Sequence, residues 1–133
     1  MSDHACICVA VRKASRRLTA TYDDVLAPEG INLAQFSLLR NIERHGPVSL
    51  TQLGEIVELD RSTLGRNVRV LERMGLVQLS AGADQRQAAV SLSGNGLATL
   101  SRSTPLWESV QTDIYAKIGA QGAAQLEALL GAL

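Results

Sequence analysis

The chain has 133 residues, 46% of them hydrophobic but only 3% aromatic, so Leu, Val, Ile and Ala must fill the core of one mainly helical domain. Thirteen Lys and Arg balance thirteen Asp and Glu, and this net charge of zero counts against wholesale phosphate binding unless the cations cluster. No apolar run approaches the ~18 residues of a membrane span and no basic-then-apolar leader opens the chain, so the expectation is a cytoplasmic protein with no membrane partner and with Cys6 and Cys8 reduced.

From about Ala5 to Leu26, the positions Cys8, Val11, Ser15, Leu18, Tyr22 and Val25 alternate steps of three and four, which is a heptad seam on a first helix. Arg12, Lys13, Arg16 and Arg17 fall off that seam, and a seam on a terminal helix predicts packing against a partner helix. Ala27-Pro28-Glu29-Gly30 breaks it. A second helix, from about Leu33 to Arg44, carries Phe36, Leu39 and Ile42 on one face and stops at His45-Gly46-Pro47. Ser49 and Gln52 form a capping-box pattern that opens a third helix, with Leu50, Leu53, Ile56 and Val57 as its buried stripe.

Asp60 suits the N-cap of a fourth helix whose inward stripe is Leu64, Val68 and Leu71, and Gly75 suits its left-handed C-terminal residue. Val77 and Leu79 alternate with Gln78 and Ser80, and Val90 and Leu92 with Ser91 and Ser93, which predicts a two-stranded hairpin tipped by Ala81 to Arg86. Ser93 caps a long helix to about Ile118, kinked at Pro105, with Leu106, Val110, Ile114 and Ile118 on one face. A last helix carries Leu126, Leu129, Leu130 and Leu133. The expected class is mainly α with a small β-hairpin. One domain over 1–133 would hold a winged helix-turn-helix part at about 33–93 between dimerisation helices at about 5–30 and 94–133.

A helix, a turn, a second helix and a ribbon are the parts needed to seat one helix in a major groove and lay a wing beside it. With its stripe inward, the fourth helix presents Arg61, Ser62, Thr63, Gly65, Arg66, Asn67 and Arg69 outward. Arginine grips guanine, Asn grips adenine, and Ser or Thr reaches bases or phosphate. Gly65 costs about 1 kcal/mol relative to Ala inside a helix, a cost that close approach of another surface such as DNA would explain. Between Arg61 and Arg86, five arginines (Arg61, Arg66, Arg69, Arg73, Arg86) face two acids (Glu72, Asp84), while other acids gather at Asp23, Asp24, Glu29, Glu55 and Glu58. At the wing tip Arg86 is expected in the minor groove, with Asp84 orienting its guanidinium or that of Arg61 or Arg66. The bland alternative, a solvated arginine face, is outweighed by the hairpin directly downstream.

Leu53-Gly54-Glu55, Leu64, Val68, the run Leu71-Glu72-Arg73-Met74-Gly75-Leu76-Val77, then Asp84-Gln85-Arg86, Val90-Ser91-Leu92-Ser93 and Gly96 together resemble the MarR family of bacterial winged-helix regulators. The resemblance implies a homodimer joined by the first helix and the last two. It also implies a double-stranded, pseudo-palindromic operator and a repressor released by a small molecule or by oxidation. The wing departs from many relatives in being sparsely basic, which leaves Arg86 nearly alone.

The segment from Cys8 to Arg16 resembles the first helix of the organic-hydroperoxide-sensing (OhrR-like) branch. That implies Cys8 as redox sensor and Tyr22 as the tyrosine hydrogen-bonded to its thiol, although Arg12 and Leu33 stand where two further tyrosines of that branch do. A helix N-terminus and Arg12 one turn on favour the thiolate, which is the form peroxides attack; a small buried core residue is the alternative. A direct Cys6–Cys8 disulfide would be strained in a helix, and an intersubunit or mixed disulfide is easier. Trp107 and Tyr115, eight residues apart on the long helix, are candidates to line a pocket for a small aromatic effector, or are simply core. His4 and His45 have no zinc spacing around them, and there is no Gly-rich phosphate loop and no Ser/His/Asp set, so neither metal, cofactor nor enzyme activity is expected. The rival reading is a winged-helix dimer that serves as a protein scaffold without DNA.

Overall fold

The computed structural model describes residues 4–81 and 88–133. Its elements are α1 (Ile7–Leu26), a 3-10 turn (Ala27–Glu29), α2 (Leu33–His45), β1 (Val48–Ser49), α3 (Leu50–Val57), α4 (Arg61–Arg73), β2 (Val77–Ala81), β3 (Ala88–Leu92) and α5 (Gly94–Gly131). It is mainly helical with a small antiparallel sheet.

The core gathers where the helical stripes meet. Phe36, Leu39 and Ile42 of α2, Leu53 of α3, and Leu64, Val68 and Leu71 of α4 are each at most 1% exposed, with Val90 of β3 among them. The α3 stripe is narrower than expected, because Ile56 is 41% exposed. At about 100° per residue, Leu50, Leu53, Gly54 and Val57 centre on one side of α3, and Ile56 falls about 110° from that centre. Gly54 is buried because the Leu59 carbonyl packs against it, 3.2 Å from where a Cβ would stand. Glu58, left-handed at φ 54°, turns the chain there and lets Leu59 N–H donate to the Gly54 carbonyl at 3.1 Å.

The caps are partly those expected. Ser49 Oγ accepts from Gln52 N–H at 3.1 Å. The reciprocal box forms instead at Asn32: Asn32 Oδ1 accepts from Gln35 N–H at 2.9 Å, and Gln35 Oε1 accepts from Asn32 N–H at 3.0 Å. Asp23 Oδ1 also accepts from Leu33 N–H at 2.7 Å and ties α1 to the start of α2.

The expected hairpin is joined by a third strand. β1 pairs with β3 through Val48↔Val90, giving the order β1-β3-β2, with Val77↔Leu92 and Leu79↔Val90 across the wing. Two residues are too few to display alternation, so β1 leaves no pattern to read.

In α5 the helical backbone breaks at Gly119 (φ 75°, ψ 161°), and Pro105 sits within helical backbone. The break thus falls where the long helix was expected to end, near Ile118. The proline's missing donor bares only the carbonyl of Ser101, an exposed residue whose carbonyl water can serve. Gly119, free to take positive φ, separates the long helix from the last one.

The end of α4 is bolted to the start of α5. Gly75 (φ 77°) lets Leu76 N–H donate to the Leu71 carbonyl at 3.0 Å, which closes α4. Ser93 Oγ accepts from Gly96 N–H at 3.0 Å and donates to the Gly75 carbonyl at 2.6 Å, while Ser93 N–H donates to the Leu76 carbonyl at 3.0 Å. Gly96 is pressed onto that same carbonyl, which lies 2.0 Å from where its Cβ would be.

Candidate nucleic-acid interface

Asp60 starts α4 by accepting from Thr63 N–H at 2.8 Å. Hydrogen bonds from the Thr63 side chain and backbone, with Arg66 nearby, hold the Asp60 carboxyl below the usual carboxylate range. The inward stripe then fixes the outward one. Arg61, Ser62, Arg66, Arg69 and Arg73 are exposed, whereas Thr63, Gly65 and Asn67 are half-buried on the flanks. Arg66 Nη2 donates to Thr63 Oγ1 at 3.5 Å, so Thr63 steadies an arginine rather than projecting alone. Gly65 lies on the flank toward the sheet, and at about 100° per residue Asn67 falls on the opposite flank. Arg73 was not among the expected contacts, although Arg66, Arg69 and Arg73 repeat at three and four residues on one line. Among the described residues, the one ion pair is Arg102–Glu29 at 2.8 Å, so the α4 arginines hold no carboxylate partner there.

Two hollows flank Arg61. One, about 430 Å³ between α4 and the sheet, has Arg61, Ser62, Arg66 and Arg69 above a floor of Gly65, Leu79 and Ala88. The other, about 530 Å³ beside α3, is lined by Leu50, Leu59, Glu55 and Glu58 as well as Arg61. Asp84 and Arg86, the expected wing-tip pair, lie outside the described residues.

Cys6 and Cys8 are free and exposed, so within one chain Cys8 is no core residue. Tyr22 is buried, and its phenol donates to Gln111 Oε1. Burial, and then the nearby Tyr115, push that phenol's pKa up. Cys8 stands about 21 Å back along α1 at the rise of an α-helix, so a Tyr22–Cys8 contact would have to cross to a second chain.

Trp107 stacks on Phe36 with ring centroids 5.6 Å apart, and the Arg40 guanidinium lies 4.3 Å over its ring. Trp107, Arg40 and Arg44 line a cleft of about 470 Å³ with Thr19 and Leu33. Tyr115 does not line it and is 43% exposed beside Tyr22. The expected aromatic pair therefore does not converge. Arg40 and Arg44 leave little trace in the sequence, their only signal being their place one and two turns beyond Phe36. Among the described residues, no cluster of His, Cys, Asp and Glu could hold a metal ion, and no helix is long and apolar enough to cross a membrane.

Much apolar surface lies open away from α4. Val11 and Leu18 on α1, and Leu126, Leu129, Leu130 and Leu133 at the end of the chain, are all more than two-fifths exposed, Leu133 reaching 85%.

The MarR family model matches residues 29–87. The M. tuberculosis transcriptional regulator MosR, solved in complex with DNA, is 36% identical, with 96% of this chain and 94% of that one covered and a TM-score of 0.86. The transcriptional repressor NicR of Pseudomonas putida is 32% identical over 96 residues, which is 71% of this chain and 61% of NicR. The chain thus spans about six-tenths of the length of the curated relatives it matches. A MarR variant from E. coli complexed with operator DNA, 22% identical with a TM-score of 0.87 over 94% of this chain and 91% of that one, shows the same fold. On this likeness to MosR over almost all of both chains, joined to the family match across the helix-turn-helix and the first wing strand, the chain belongs to the MarR family of winged-helix transcriptional regulators, which are not enzymes.

Proposed function

We propose that the protein is a cytoplasmic, homodimeric regulator that binds double-stranded DNA at a pseudo-palindromic operator, acts as a repressor, and is released by oxidation of Cys8 or by a small aromatic ligand. The observation that carries the DNA reading is the row Arg61, Arg66, Arg69 and Arg73, exposed without a carboxylate partner among the described residues, on a helix whose other side is core. Such a row is what base edges and phosphates require. MosR, the relative solved with DNA, supports it. The exposed stripes of α1 and the chain's end support a second copy: a two-fold dimer would bury them and set two α4 helices about 34 Å apart, one turn of duplex. On this reading Asp84 and Arg86 serve the minor groove.

For release, the exposed Cys8 thiol is open to peroxide. The Trp107 cleft, with Arg40 and Arg44, suits an aromatic anion that stacks on the indole while its charge meets a guanidinium. Either signal would act by favouring one spacing of the two α4 helices over another.

The DNA reading is tested by titrating salt against binding to the DNA upstream of the protein's own gene. The logarithm of affinity should fall linearly with the logarithm of salt, and Arg66→Ala should reduce the slope by about one. No binding at low salt would favour the scaffold reading. Exposure of wild type and Cys8→Ser to cumene hydroperoxide separates the signals: release of the wild type alone supports the thiol, and equal behaviour rejects it.

A further inference from the structure

Gly65 stands midway along a ridge of α4 whose next members, one turn before and one turn after, are Arg61 and Arg69. The ridge therefore has a gap one side chain wide, framed by two guanidinium groups. Nothing among the described residues requires it. The glycine is not among the residues with positive φ, and a Cβ built on it would meet no atom within 4 Å. By contrast, Gly54 and Gly96 each sit against a neighbouring carbonyl. A glycine that weakens a helix without helping its own fold is explained by what approaches from outside.

The gap faces the sheet, where it forms the floor of the hollow beneath Arg61, Arg66 and Arg69, opposite Leu79 and Ala88. That floor is apolar, and among the described residues the lining contains three arginines and no carboxylate. The hollow on the other side of Arg61 carries Glu55 and Glu58 and would repel a polyanion. We propose that the Gly65 gap seats the sugar–phosphate backbone of one DNA strand where it passes between α4 and the wing. One deoxyribose rests its C–H face on Gly65, Leu79 and Ala88, and the phosphates on either side of it meet Arg61 and Arg69. These residues are about 12 Å apart along the helix axis. The inference rests on the DNA-binding reading and adds to it a contact that sets how deeply α4 enters the groove, independent of base sequence.

The test uses the full chain as wild type, Gly65→Ala and Gly65→Leu. Anisotropy is measured on two labelled duplexes, one from upstream of its own gene and one of random sequence, beside thermal unfolding of each protein. Both variants should melt at or above the wild-type temperature, since each replaces glycine with a better helix former. Affinity should fall about tenfold for Ala and further for Leu, by the same factor on both duplexes, because a backbone contact carries no sequence information. Wild-type binding to both duplexes with undiminished affinity in both variants would overturn the proposal and leave the DNA reading standing. So would a loss confined to the gene's own duplex, which would place a base edge at Gly65. Failure of the wild type to bind either duplex at low salt would overturn the DNA reading and this proposal with it.

Discussion

Replacing Gly96 with alanine should cost more stability than its single added methyl suggests. The new Cβ would lie 2.0 Å from the Leu76 carbonyl oxygen, against about 3.3 Å for the closest comfortable C···O approach, so something must yield by roughly 1.3 Å. The carbonyl is held from the other side, where it accepts from Ser93 N–H at 3.0 Å, and Ser93 Oγ is itself bonded to the Gly75 carbonyl at 2.6 Å. Relief therefore requires the start of α5 to lift from the end of α4. Overpacking of this kind costs about 1–3 kcal/mol, the lost backbone hydrogen bond about 1 and a disturbed Ser93 cap about 1, for a total of roughly 3–5 kcal/mol. For a chain of this size that is a fall in Tm of about 10–20 °C. Gly94→Ala is the matched control, since a Cβ there meets nothing within 4 Å. Circular-dichroism melts of the three proteins at one protomer concentration make the comparison. A Gly96→Ala protein melting within about 2 °C of wild type would refute the reasoning, because the junction would then be soft enough to absorb a methyl.

Other outcomes follow from the same structure. The Asp60 carboxyl is held low in the folded state by Thr63, so its contribution is present above the ordinary carboxylate range and is lost as pH falls through the folded pKa. Asp60→Asn, which caps without titrating, should flatten the acid side of a Tm-against-pH curve, and an unchanged curve would count against the cap. The protein has one tryptophan, so benzoate entering the Arg40–Trp107 cleft should change its fluorescence, and Arg40→Ala should weaken that response by about tenfold for a lost charge-assisted contact. Equal titrations would remove the cleft from consideration. Leu126→Lys combined with Leu130→Lys should give a monomer in sedimentation together with loss of DNA binding, whereas an intact dimer would place the interface elsewhere.

What could be read before the structure was what repeats. α4 is delimited by an Asp cap, a three-and-four apolar stripe and a closing glycine, and each of these is a local signal. The heptad seam of α1, exposed from Cys8 to Leu18, is legible for the same reason. Ile56 was misassigned because a short helix offers too few turns to tell a stripe from its neighbouring line. What Pro105 costs α5 depends on whether the carbonyl it bares meets water, which only the packing decides. Gly119 gives no sign in sequence that it will take positive φ. The Trp107–Arg40–Phe36 stack joins residues distant in sequence and has no period at all. Nor does any local pattern state that Tyr22 meets Gln111. The interface was thus readable along one helix, while the cleft and its cations were not, because tertiary packing creates them.

On the proposed function, the exposed arginine row of α4, paired with its symmetry mate, meets DNA at the pitch of the duplex. Hydroxyl-radical footprinting on the region upstream of the protein's own gene tests it most directly. Two protected half-sites related by two-fold symmetry are expected, with centres about 10 bp apart, both erased in Arg66→Ala/Arg69→Ala at unchanged Tm. A single unpaired footprint, or protection that survives the double variant, would contradict it.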